Sequence, residues 1–115
     1  MARKVDNEIF FQLFDDGGDM THVVVTRHAG VAKMLKGIVE ESLTGVHRLY
    51  QLMQSKKLTA PAMNIHDSVT KAMFENYYCQ KESVIDAIKR CTDAMLAGKT
   101  ALVCGYGQVI KKTFD

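Results

Sequence analysis

The sequence predicts an α/β domain, a parallel sheet covered by helices, and three observations carry that expectation. Short apolar stretches of strand length, rich in branched or aromatic residues, occur at residues 9–14, 60–65 and 100–104. Between them, apolar residues recur at helical spacing, as at Val46, Leu49, Tyr50 and Met53. Strands and helices alternate along the whole chain, the order that produces parallel sheets.

The totals exclude several classes. With 115 residues, 47% of them hydrophobic and 24% charged, the chain has room for one modest globular domain. Its 15 basic residues are interspersed with 13 acidic ones for a net charge of +2, so no nucleic-acid surface is expected. No stretch approaches the roughly 18 apolar residues of a membrane span. Residues 9–14 are broken by Gln12 and followed by Asp15-Asp16, which makes a poor signal peptide. Cys79, Cys91 and Cys104 are odd in number and lack C-x-x-C spacing, so neither a disulfide framework nor a zinc site follows. A reducing, cytoplasmic location is the simplest expectation. His22, His28, His47 and His66 have no recognised ligand spacing, and no metal is expected.

Taken in order, residues 1–8 are polar and read as a leader. Residues 9–14 read as a largely buried strand ending in Asp15-Asp16-Gly17-Gly18-Asp19, a turn with Asp19 as the simple cap of the next helix. From Met20 to Lys36 the period is mixed. Val23-Val24-Val25 suggests a strand, whereas Met20, Val23, Val24, Arg27 and Val31 fit a helix. A helix and then a loop is the expectation, a choice to which the resemblance given below contributes. Gly37-Ile38-Val39 is a short strand leading into Glu40-Glu41, and Ser42 or Thr44 can cap the helix that follows. After the strand at 60–65, Asp67 or Ser68 can cap another helix. Val84, Ile85, Ile88, Cys91 and Met95 form a further apolar stripe, normally core packing, with Gly98 as its natural stop. Residues 100–104 are then a buried strand. It is apolar on both faces, and the chain ends shortly after it, so the expectation is an incomplete fragment with a tendency to self-associate.

Chemistry gathers in two places. Lys71 and Glu75 are four apart and share a helix face with Asn76 beside them, just past the carboxyl end of a strand. Open α/β sheets bind their ligands there, although by spacing alone a solvated surface turn is the commoner reading. An exposed Lys71 of this kind would change stability by no more than about 0.5 kcal/mol on replacement by alanine. Gly105-Tyr106-Gly107-Gln108-Val109-Ile110 is a G-x-G-x-x-G dinucleotide motif with Ile110 at its last glycine. The acidic residue usually found roughly 20 residues later would lie beyond Asp115.

Asp-Asp-Gly-Gly-Asp at 15–19, Glu-Glu-Ser-Leu-Thr-Gly-Val-His at 40–47, Asp-Ser-Val-Thr-Lys at 67–71 and Cys-Gly-Tyr-Gly at 104–107 fall in one order and spacing. Together they resemble the adenosylhomocysteinase family, the NAD-dependent hydrolases of S-adenosylhomocysteine. The resemblance covers about 13–112 of this chain and only a middle portion of the family's longer one. Val39-Glu40-Glu41-Ser42, residues 47–52 and Val103-Cys104-Gly105 are similar to the adenosylhomocysteinase-like branch, which is known for binding the inositol-trisphosphate receptor.

The resemblance implies a Rossmann-like fragment of a two-domain protein. Residues 1–8 would be the leader, 9–80 part of the substrate domain, 81–98 a connecting helix and 99–115 the start of the NAD-binding domain. It implies substrate contacts at Asp16, Glu41, Lys71 and Glu75, with Lys71 as the catalytic residue, and NAD contacts at Ser42, Thr44, Asn76, Gly105 and Gly107. Glu75 stands where the family has aspartate, Leu43 where it has threonine, Gln80 where it has cysteine, and Ile110 and Lys112 where it has glycines. The implied substrates are S-adenosylhomocysteine or adenosine. In the family, NAD takes a hydride from the ribose 3′ carbon, homocysteine leaves, water adds, and the hydride returns. A lysine suits the proton transfer because burial disfavours its charge. With half of the cleft absent, the expectation is a fragment that neither turns over substrate nor retains NAD alone. The alternatives are an enzyme completed by partner chains and a non-catalytic module that forms homo-oligomers or joins full-length relatives.

Overall fold

Among the described residues four strands build one sheet in the order β1-β2-β3-β4. The computed structural model describes residues 2–5, 8–107 and 109–111, and Gln108 of the glycine motif and Lys112 lie outside them. The strands are β1 (Ala2–Val5), β2 (Glu8–Asp15), β3 (Leu35–Glu40) and β4 (Ala62–Asn64). β2, β3 and β4 run parallel, as the alternation of elements predicts, and β1 adds to the β2 edge antiparallel. Residues 2–5, expected within a polar leader, are therefore a strand. An edge strand needs only an extended backbone and tolerates charged residues such as Arg3 and Lys4.

The crossovers are helical: α1 (Asp19–Arg27) and α2 (Ala29–Ala32) join β2 to β3, and α3 (Leu43–Gln54) joins β3 to β4. α1 takes in Val23-Val24-Val25, so tertiary packing overrides their preference for strand. Leu13, Leu35, Ile38, Leu49 and Ala60 form the core, with Phe11, Val24 and Leu58 packed against them. From Ile38 to Glu40 the burial of β3 alternates, and Ile38 and Glu40 face the same way into the interior.

The chain divides into two compact units, Met1–Asp67 and Ser68–Asp115. The second begins with a π-helical segment, Thr70–Cys79, that continues into α4 (Gln80–Thr92). Its start is capped by Ser68, whose Oγ accepts the Lys71 N–H at 3.2 Å, one of the two caps expected. α4 stops six residues before Gly98, with Asp93 in the left-handed conformation. It has no buried residue among those described: Val84 and Ile85 are half-buried, Ile88 and Cys91 are exposed, and Met95 lies beyond its end. Residues 100–104 belong to no strand, and Leu102 is 92% exposed. A strand exists only where a neighbour takes its ladder bonds, and none of the described residues does so.

Candidate functional site

The carboxyl ends of β2 and β3 meet two turns. Gly17 and Gly18, both at positive φ, turn the chain from β2 into α1, a backbone shape that side-chain-bearing residues enter at a cost. Asp15 then supplies the capping oxygen expected of Asp19: its Oδ2 accepts the Thr21 N–H at 2.7 Å and its Oδ1 the Asp16 N–H at 3.0 Å. Asp19 instead pairs with Arg48 of α3.

Glu40 holds the two turns together. Its side chain is fully buried, and Oε1 accepts the Gly17 N–H at 2.8 Å and the Ser42 N–H at 2.9 Å. Ser42 and Thr44 were the expected caps of α3, but Ser42 makes no side-chain cap bond, and the Glu40 carboxylate satisfies the helix start in its place. Gly45 makes room for that carboxylate: a Cβ there would lie 2.1 Å from Glu40 Cδ. Glu40 Oε2 has no hydrogen-bond partner among the described residues. Glu40, Asp15 and Gly45 are the structural residues that motif reading passed over. The period-two alternation from Ile38 to Glu40 was the signal that could have placed Glu40 inside.

Around this framework, Asp16 and Glu41 line one cavity of about 160 Å³ with Phe14, Asp15, Val39 and Ile65. Asp16 is exposed and Glu41 half-buried. Ser42 is half-buried and Thr44 exposed at the start of α3.

In the second unit, Lys71 pairs with Glu75, one helical turn on. The Lys71 side chain is only 15% exposed, so the exposed lysine expected from the sequence is corrected to a half-buried, paired one. Gln80 Nε2 donates to Glu75 Oε1 at 2.8 Å. The π geometry explains this contact, because it brings residues five apart onto one face, and the Gln80 N–H likewise reaches the Glu75 carbonyl. Asn76 is buried. Lys71→Ala is expected to cost about 1–2 kcal/mol, since it leaves the Glu75 carboxylate with less compensation in a half-buried place. Lys71→Met, which keeps the stem, should recover only the packing share. Urea titration of both variants measures the difference, and no loss in either would mean that the pair is fully solvated.

Gly105 and Gly107 do not sit in a strand-turn-helix cradle. No strand directly precedes them, and the described helical residues after them are one short turn, 109–111. Among the described residues nothing lies within 4 Å of a Cβ built at either glycine.

Among the described residues no group of three or more potential metal ligands is found, and no helix is long and apolar enough to cross a membrane. The family model described as S-adenosyl-L-homocysteine hydrolase matches residues 25–104, well over half of the 115. That match runs from the end of α1 through the buried Glu40, Glu41 and the Lys71–Glu75 pair to Cys104, and the chain belongs to the S-adenosyl-L-homocysteine hydrolase family.

Proposed function

We propose that this chain is a nucleoside-contacting portion of the family's substrate domain, of the adenosylhomocysteinase-like branch, and that it does not carry out hydrolysis alone. The observation that carries the reading is the convergence of Asp16 and Glu41 on one cavity at the carboxyl ends of two parallel strands. Carboxylates there suit the vicinal hydroxyls of a ribose, each accepting a charged hydrogen bond. Lys71, half-buried and beside Glu75, is the group of this chain suited to moving a proton. In this reading Ser42, Thr44 and Asn76 are contacts for NAD held mainly by other parts of a full-length relative. Three unpaired cysteines agree with a reducing, cytoplasmic setting.

Three measurements test the proposal. Titration with adenosine, followed by amide NMR, should shift Asp16 and Glu41 at millimolar ligand, with the shifts lost in Glu41→Gln. Unmoved signals would remove the nucleoside assignment. A thiol assay for homocysteine release from S-adenosylhomocysteine, with NAD added, should stay at the blank. Release abolished by Lys71→Met, or micromolar NAD binding by calorimetry, would make the chain an enzyme by itself. A second reading, a non-catalytic module that associates with relatives, is favoured by the exposure of Leu102 on a segment without a strand partner among the described residues.

A further inference from the structure

The free edge of β4 and residues 101–104 are chemically complementary. β4 is the last strand of the sheet and pairs only with β3 among the described residues. The Pro61 carbonyl accepts the Ile38 N–H and the Ile65 N–H donates to the Glu40 carbonyl, both at 3.0 Å. Alternation along the strand then points Met63 toward β3 as well, and turns the backbone groups of Ala62 and Asn64 to the open side. Among the described residues those N–H and C=O groups have no backbone partner. Beside this edge Val46, Leu49, Tyr50 and Met53 of α3, with Pro61 and Ala62, line an apolar groove of about 370 Å³.

The matching half lies in the same polypeptide. Ala101-Leu102-Val103-Cys104 carries no charge and no proline, and among the described residues it takes part in no strand pairing. Leu102 stands 92% exposed between an exposed Ala101 and a half-buried Val103. An open sheet edge beside an apolar groove receives an extended peptide through main-chain hydrogen bonds, with alternate side chains filling the groove.

We propose that the β4 edge of one copy receives residues 101–104 of a second copy as an added strand, with Leu102 seated in the groove along α3. The contact joins two different surfaces, so it closes as a reciprocal pair or runs on from copy to copy. A four-residue strand buries little area, and its affinity belongs in the micromolar range. This goes beyond the nucleoside reading and does not depend on it.

Sedimentation of the full chain across micromolar concentrations should show species heavier than 12.9 kDa that dissociate on dilution. Leu102→Lys places a charge in the groove, and Ala62→Pro removes an outward N–H while leaving the bonds to β3. Each should weaken association at least about tenfold. Tyr50→Lys, on the exposed rim of the groove, replaces Ala62→Pro if that variant does not fold. Mixing the two disabled chains is decisive. One keeps the edge and the other keeps the segment, so the mixture should regain a one-to-one complex that neither forms alone. A parent chain that stays monomeric, variants that associate like the parent, or a mixture that stays monomeric would each overturn the proposal.

Discussion

Replacing Gly45 with alanine is expected to cost this fold about 3 kcal/mol, although alanine in a helix ordinarily gains stability over glycine by about 1 kcal/mol. The reversal comes from one contact. A Cβ at 45 would sit 2.1 Å from Glu40 Cδ and 2.3 Å from each carboxylate oxygen. Glu40 is fully buried and can retreat only by giving up the Gly17 and Ser42 N–H groups that it holds. Two charge-assisted hydrogen bonds and the desolvated donors behind them set the size of the loss. Gly30, in α2, provides the control, because nothing lies within 4 Å of a Cβ there and its alanine variant should be neutral or slightly stabilising. The pair Glu40→Ala with Gly45→Ala should cost no more than Glu40→Ala alone, a coupling of about 3 kcal/mol in a double-mutant cycle. Additive losses in urea titration would mean that the two residues do not touch.

The same contact shows what the sequence reveals and what it does not. The parallel sheet was legible because apolar strand-length stretches alternate with helical periods, and the strands expected at 9–14, 37–39 and 60–65 lie in or overlap β2, β3 and β4. Residues 100–104 carry an equally good strand composition yet form none. Composition records a preference, whereas a strand needs a neighbour whose position the local sequence does not encode. The π-helical segment was invisible for a related reason. Lys71 and Glu75 satisfy an α-helical spacing, and only the Gln80 contact to Glu75, five residues away, reveals the wider turn.

At the site, motif reading singled out the second carboxylate of Glu40-Glu41 and passed over the first. The first is the one the fold is built on: it is buried, it ties the turn after β2 to the start of α3, and it thereby sets where Asp16 and Glu41 stand. Capping was misread in the same way. Asp19 and Ser42 occupy cap positions by sequence, but the oxygens that satisfy these helix starts come from Asp15 and Glu40, at the ends of the preceding strands. Long-range partners of this kind leave no local signature beyond the alternation that puts Glu40 on the face of Ile38.

Ile38→Ala is expected to lower stability by about 3–4 kcal/mol, since it empties a fully packed position on the middle parallel strand. Ile38 is 1% exposed and touches the cluster formed by Leu13, Leu35, Leu49 and Ala60. The loss is large against the roughly 5–15 kcal/mol available to a domain of ordinary stability. Ile38→Val, which removes one methylene, should cost about 1 kcal/mol. The neighbouring position separates packing from the site. Val39 is half-buried and lines the cavity with Asp16 and Glu41, on the opposite side of the strand from Ile38. Val39→Ala should therefore cost about 1 kcal/mol in a urea titration while it widens the cavity and weakens any adenosine shift there. Ile38→Ala should do the reverse under conditions where it is still folded, with a lowered midpoint and the cavity walls intact. Equal losses of stability at 38 and 39 would mean that β3 is packed alike on both faces, and the division of this strand into a core side and a ligand side would fall.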